Sequence, residues 1–382
     1  MKDNKTLHEA KVNKNDEFYT RREDIDLEIN TPEHGYRPFF KDKIVYCNCD
    51  DPEESNFWKF FKARFYGLKL KKLISTHYDR DGKSSYKLEY DGERVVKTEL
   101  EGNGDFRSPE CVELLKESDI VVTNPPFSLF RDFMALIIKH EKKFIVLGKM
   151  NMMTYKEVFP LIKDNKMWPG YGFNLSVVFG SPYKNELEPN RKYVLSKGLN
   201  PDEGYVKVPE IAWYTNLEIP KRSQPLPLGW KYEKGLEMGL YPKYDNYDAI
   251  NIDQVDQIPR DYDGVMGVPI TFMGKYCPEQ FEIVAFRKGE DGKDLVFTRE
   301  REREFNRTFV SLSREDKMAA ANVRGWSKEI LQDIDSGKIA PVDVIYPPLM
   351  KVNGLMNNPK DTIIKGKKKY ARILIRHKTT TK

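Results

Sequence analysis

The chain has 382 residues, more than the roughly 100 to 200 of a typical single domain, so two domains, or one large domain with an appended lobe, are expected. Its 64 Lys and Arg against 59 Asp and Glu leave a formal charge of +5, so overall charge alone does not announce a nucleic-acid binder. Cys47, Cys49, Cys111 and Cys277 are too few for a disulfide framework, and one C-x-C pair is a poor zinc site. No run approaches the ~18 apolar residues of a membrane span, and Met1 to Lys5 opens on charge where a secretion signal would become apolar. The expectation is a cytoplasmic protein with reduced thiols, no metal site and no membrane partner.

In chain order, the stretch to Glu23 is polar apart from Phe18 and Tyr19 and reads as an arm that gains structure by docking. From Lys43, short β-branched runs alternate with helical patterns. Ile44–Tyr46, Leu73–Thr76, Ile120–Val122 and Phe144–Leu147 read as buried strands. Between the last two, Ser128 is placed as an N-cap, with Leu129, Phe133, Leu136 and Ile137 on one apolar helix face. Strands separated by helices predict an α/β fold with a doubly wound, mostly parallel, Rossmann-like sheet. A further strand, Ile211–Thr215, precedes Pro220, Pro225, Pro227 and Gly229, which mark a boundary between residues 1–220 and 221–382. Beyond it, Arg299 to Glu304 alternates in sign and reads as a helix face. The lysines at 365 and 367–369 precede a strand-like run, Ala371–Ile375.

The chemistry points to Asp119-Ile-Val-Val-Thr-Asn-Pro-Pro-Phe127, a buried strand running into a loop stiffened by two prolines. In open α/β sheets ligands bind beyond the carboxyl ends of such strands. An exocyclic ring amine is a poor nucleophile because its lone pair is delocalised. The Asn124 side-chain oxygen and a carbonyl of the Pro125-Pro126 turn can accept hydrogen bonds from such an amine and free that lone pair, while Phe127 offers a stacking surface. The tetrapeptide alone does not choose the substrate, since related loops methylate nitrogen in adenine, cytosine, ribosomal RNA and glutamine.

Longer blocks narrow the choice. Asn15 to Thr20, Val45 to Pro52 with Ser55-Asn56-Phe57, Gly104 to Ser108, Asp119 to Phe130, Thr154 to Phe159, Tyr241 to Ile250 and Gly264 to Phe272 together resemble the EcoRI-type adenine-N6 DNA methyltransferases. The resemblance implies S-adenosyl-L-methionine as cofactor, double-stranded DNA as partner, a cognate restriction endonuclease in a restriction-modification system, and a carboxy-terminal target-recognition region. It assigns Phe18, Tyr19 and Thr20 to packing around the cofactor, and Cys49 and Asp50 to the end of the first strand beside it. Asp105 would accept from the cofactor's adenine amine, with Phe106 against the ring. Trp213 and Tyr214 are expected to flank an extruded base, and Lys367, Lys368 and Lys369 to contact phosphates.

Two departures from the wider methyltransferase pattern stand out. The loop from Asp50 to Asn56 contains no glycine, and no acidic residue closes the strand Leu73–Thr76, where a ribose contact is expected; the nearest are Asp79 and Asp81. The competing readings are an RNA or protein N-methyltransferase and a catalytically inactive DNA-binding relative. Cytosine-C5 chemistry is disfavoured because none of the four cysteines follows a proline in a suitable loop. The oligomeric state is left open, a monomer being compatible with the sequence.

Overall fold

The computed structural model describes residues 19–31, 35–49, 51–79, 84–180, 188–244, 248–286 and 372–378, with short stretches between them. Phe18, Asp50, the segment Arg299 to Glu304 and the side chains of Lys367 and Lys368 lie outside the described residues. The chain divides into two compact units, residues 1–222 and 223–382.

The first unit is built on one large mixed sheet. Its strands are β1 (Ile44–Cys47), β2 (Lys72–His77), β3 (Tyr86–Tyr90), β4 (Val95–Glu99), β5 (Ile120–Thr123), β6 (Lys143–Lys149), β7 (Trp168–Pro169), β8 (Leu175–Gly180) and β9 (Tyr205–Thr215). They run in the order β4-β3-β2-β1-β5-β6-β9-β7, with β8 on β9. The centre, β2-β1-β5-β6, is parallel, while the strands outside it pair antiparallel. β5 is buried at every position and β1 at all but its first, which is what a strand covered on both faces requires.

β1 leads through helix α1 (Asn56–Ala63) to β2 on one side, and the chain later returns through helix α2 (Pro109–Glu117) to β5 on the other. The strand order therefore reverses at β1, and a crevice opens above β1 and β5. The foot of this pair is tied by Asp119. Its carboxylate accepts the Ile44 N–H (2.8 Å) and its own N–H donates to Ile44 O (2.9 Å).

The helix after β5 begins later than the spacing suggests. Phe127–Leu129 first winds a 3-10 turn, closed by Leu129 N–H donating to Pro126 O (2.9 Å), and helix α3 spans Phe130–Lys139. Leu129, not Ser128, is its N-cap. The register shift buries Phe130, Phe133, Met134 and Ile137, leaving Leu129 and Leu136 partly exposed.

In the second unit, β10 (Ala249–Asn251), β11 (Val265–Pro269), the strand Arg372–His377 and β12 (Phe281–Phe286) form a four-stranded sheet in that order. Gly267 is required there, because a Cβ would sit 2.0 Å from the Tyr244 hydroxyl. That hydroxyl donates to Asn251 Oδ1 (2.9 Å), which also accepts from the buried Arg372.

A buried carboxylate fastens the early helix Arg22–Ile29 to the segment between β7 and β8. Glu28 accepts the Tyr36 hydroxyl (2.9 Å) and the N–H groups of Tyr171 (2.8 Å) and Gly172 (2.6 Å). Desolvation lifts its pKa from 4.5 to about 7, outweighing these bonds. The fold thus binds a proton more tightly than the unfolded chain, and the ionised form costs about 3 kcal/mol more in the fold. The contribution is fully present below pH 4.5 and is lost as pH rises through about 7. Urea unfolding from pH 5 to 8 is expected to show stability falling with pH in wild type, a slope that Glu28→Gln reduces. Parallel slopes would place the titrating group elsewhere.

Candidate cofactor and catalytic site

The site grows from the carboxyl ends of β1, β2 and β5. At the end of β5, Thr123 is fully buried and its hydroxyl accepts the Cys49 N–H (3.2 Å), drawing the β1 loop onto the start of the Asn124 loop. Asn124 follows at 8 % exposure, Pro125 is buried, and Pro126 and Phe127 are partly exposed, with Phe127 resting on the main core cluster. The sequence-predicted catalytic residues thus form one short rim over the β1–β5 crevice.

On the β1 side, Asn48 is 3 % exposed. Its Oδ1 takes the Cys49 thiol (3.7 Å), and its Nδ2 has no partner among the described residues. The docking arm supplies a second such atom. Tyr19 pairs with Gly180 as an antiparallel bridge, Asn56 at the start of α1 donates to Thr20 O (2.7 Å), and the Thr20 hydroxyl is buried without a hydrogen-bond partner among the described residues. Leaving a buried polar atom unsatisfied costs about 1–3 kcal/mol, so each of these atoms points to a ligand with its own polar groups.

The third part is the loop Asn103–Arg107. Gly104 adopts a φ of +75°, and a Cβ there would lie 2.1 Å from the His77 carbonyl and 3.2 Å from Tyr78 Cα. Only glycine permits this approach, which seats Asp105 beside the end of β2. Arg107 grips Asp105 through Nε (2.9 Å), Nη2 (2.7 Å) and its own N–H (2.8 Å), holding the carboxyl below its usual pKa. Oδ1 carries two of these bonds and Oδ2 one, so Oδ2 keeps an acceptor position.

Several sequence expectations meet a different geometry. Phe106 is buried, edge-on to Phe133 with ring centroids 5.5 Å apart, so its ring has little face to offer a ligand. The open aromatic at this place is Tyr78, 47 % exposed, directly after β2. Trp213 and Tyr214 do not flank an accessible base site. Trp213 is 1 % exposed and packs edge-on to Phe57, while the fully buried Tyr214 donates to Lys149 O (2.9 Å) and Met150 O (3.3 Å). Both lie in the paired end of β9, where the sheet's two covered faces consume aromatic surface, and Tyr214 braces the carboxyl end of β6 from beneath. Lys369 lies 3.8 Å from Asp253, and Lys367–Lys368 pairs with Ile363–Ile364 in a short antiparallel ladder.

Sequence reasoning passed over Asn48 as a separate site residue, and also Asp51 and His77. Asp51 does not cap α1, because Ser55 takes that role by accepting the Phe57 N–H (3.0 Å). Instead Asp51 reaches across to β2, where its Oδ2 lies 3.0 Å from His77 Nδ1. None of the four cysteines forms a disulfide, and no cluster of three metal-ligating side chains occurs among the described residues. No helix among them is long and apolar enough to cross a membrane.

Against known proteins, the family described as adenine-specific methyltransferase EcoRI matches residues 6–378. The Type II methyltransferase M.EcoRI of Escherichia coli is 47 % identical over 310 residues, covering 76 % of this chain and 92 % of that protein. M.MpnI of Mycoplasma pneumoniae is 43 % identical over 282 residues (73 % and 84 %), and M.MgeORF184P of Mycoplasma genitalium 40 % over 280 (73 % and 85 %). No solved structure gives a significant match. With a match across nearly its whole length, a mixed α/β sheet and the Asn-Pro-Pro-Phe rim at the switch point, the chain belongs to the EcoRI family of adenine-specific methyltransferases.

Proposed function

We propose that the chain transfers a methyl group from S-adenosyl-L-methionine to N6 of adenine within a specific site in duplex DNA. The observation that carries this reading is the placement of Asn124 at the end of β5 beside Asn48 at the end of the neighbouring β1, whose buried Nδ2 has no hydrogen-bond partner among the described residues. The donor set fits the cofactor. Asn48 Nδ2 suits its carboxylate, Asp105 Oδ2 its adenine amine, and Tyr78 gives the adenine an open ring. Phe18, Tyr19, Cys49 and Asp50 join this set through the family resemblance. When bound, the cofactor supplies an electrophilic methyl group.

The rest falls to the protein. The target amine cannot be reached inside a duplex, so the base is extruded and stacks on Phe127. Asn124 Oδ1 accepts one of its N–H groups. The second acceptor is a carbonyl of the Pro125-Pro126 turn, in which Pro126 O already accepts one bond, from the Leu129 N–H. With both acceptors set before the base arrives, the nitrogen's lone pair is turned towards the methyl group, and direct in-line transfer needs no covalent enzyme intermediate. Residues 221–382 serve as the target-recognition region, with Lys367, Lys368 and Lys369 on phosphates. The relatives' Type II designation fits a restriction-modification setting with a cognate endonuclease.

Asn124→Ala is expected to keep the fold and cofactor binding while slowing transfer by at least about 10²- to 10³-fold. Digestion of duplex DNA after incubation with labelled cofactor, and identification of the nucleoside by mass, reads the outcome. N4-methylcytosine as the product, or a variant within a few-fold of wild type, would overturn the reading. Phe127→Ala removes stacking worth roughly 1–3 kcal/mol and should weaken productive capture of the base, whereas Phe127→Tyr and Phe127→Trp should retain activity.

Changing Lys367, Lys368 and Lys369 together to Gln is expected to weaken DNA binding. The log–log salt dependence should become shallower by about 0.9 for each phosphate that is no longer neutralised by a lysine. Unchanged affinity and slope would assign these lysines to solvent.

A further inference from the structure

In the wider methyltransferase pattern a carboxylate closes β2, where this chain ends its strand in His77. Asp79 does not fill the place. Its Oδ2 accepts the backbone N–H and the hydroxyl of Ser84, both at 2.9 Å, and so shapes the turn towards β3. Asp51 comes instead from the neighbouring β1 loop. Its Oδ1 accepts the Glu53 N–H (2.9 Å) and, more weakly, the Tyr86 hydroxyl (3.3 Å), while its Oδ2 faces His77 Nδ1 at 3.0 Å. The His77 and Tyr86 rings stack with centroids 5.0 Å apart, which holds the imidazole plane against the carboxylate. A carboxylate oxygen has two acceptor positions, and His77 Nδ1, close to Oδ2 but not aligned for a hydrogen bond, leaves acceptor capacity there. The Asp51 side chain remains 24 % exposed, so that capacity is open to a ligand.

We propose that Asp51, oriented by His77 and Tyr86, replaces the missing β2 carboxylate and accepts a hydrogen bond from a ribose hydroxyl of the cofactor. The inference rests on the reading that the site holds an adenosyl cofactor. Three neighbours make the position fit a ribose. Asp105 and Tyr78, which take the adenine, flank the same end of β2 through the Gly104 approach, and Asn48, which takes the amino-acid end, lies three residues before Asp51 in the β1 loop. The ribose joins those two ends, and Asp51 reaches from the β1 loop to the end of the neighbouring β2.

The test is calorimetric binding of S-adenosylhomocysteine and its 2′-deoxy and 3′-deoxy counterparts to the full chain without DNA, so that catalysis is not the readout. Wild type should bind at least one deoxy compound about 10- to 100-fold more weakly than the parent, the range expected for a hydrogen bond to a charged acceptor. In Asp51→Asn, Oδ1 keeps its two donors and the amide nitrogen replaces Oδ2. A donor then faces the hydroxyl, so affinity for the parent should fall and the preference over the deoxy compounds should shrink to within about threefold. Equal binding of all three compounds by wild type overturns the proposal, as does an Asp51→Asn protein that keeps the full preference. Wild type that binds none of them overturns the cofactor reading itself. The wild-type comparison decides the matter even if the variant fails to fold.

Discussion

The pairing of β1 with β5 is the constraint on which the site depends. Because the chain leaves β1 in one direction and returns to β5 on its other side, the two carboxyl ends meet with no strand between them. Asp119 locks the foot of the pair through Ile44, and the Thr123 hydroxyl locks its head through Cys49 N–H. The loop that would activate the amine and the loop that would hold the methyl donor are thereby set side by side by backbone geometry. Rotating either strand would break both ties at once.

The site is assembled from groups that are costly without a ligand. Asn48 Nδ2 and the Thr20 hydroxyl are buried without a hydrogen-bond partner among the described residues, and they come from separate segments of the chain. The Thr20 arm is held in place by its strand-like bridge to Gly180 and by the bond from Asn56. Asp105, by contrast, is oriented locally by Arg107 two residues on. Preorganisation is thus divided between long-range backbone ties and one short-range ion pair, and both kinds hold acceptors and donors in place before any ligand arrives.

Aromatic residues divide by depth, not by motif. Trp213, Tyr214 and Phe106 are consumed by the core, where their area stabilises the sheet, whereas Tyr78 and Phe127 retain ring surface at the crevice. Tyr214 still serves the site indirectly, because its hydroxyl fixes the carbonyls of Lys149 and Met150 at the end of β6. A strand-end aromatic looks the same in sequence whether it faces a ligand or the opposite layer.

Local sequence determined the central strands, because a strand buried on both faces must be almost wholly apolar. Ile120–Val122 and Phe144–Leu147 carry that signature without reference to the rest of the chain. It also determined the Asn-Pro-Pro-Phe turn, whose prolines restrict the backbone by themselves. The β3–β4 hairpin carries no such signature, since Tyr86–Tyr90 and Val95–Glu99 mix charge into every other position or stand exposed at the sheet edge. Tertiary structure alone decided that Asp51 faces His77 across two strands, that Gly104 lies against the His77 carbonyl, and that Trp213 and Tyr214 turn inward. Each of these depends on which strands become neighbours, and strand adjacency is set by the packing of the whole sheet, which no local run of residues encodes.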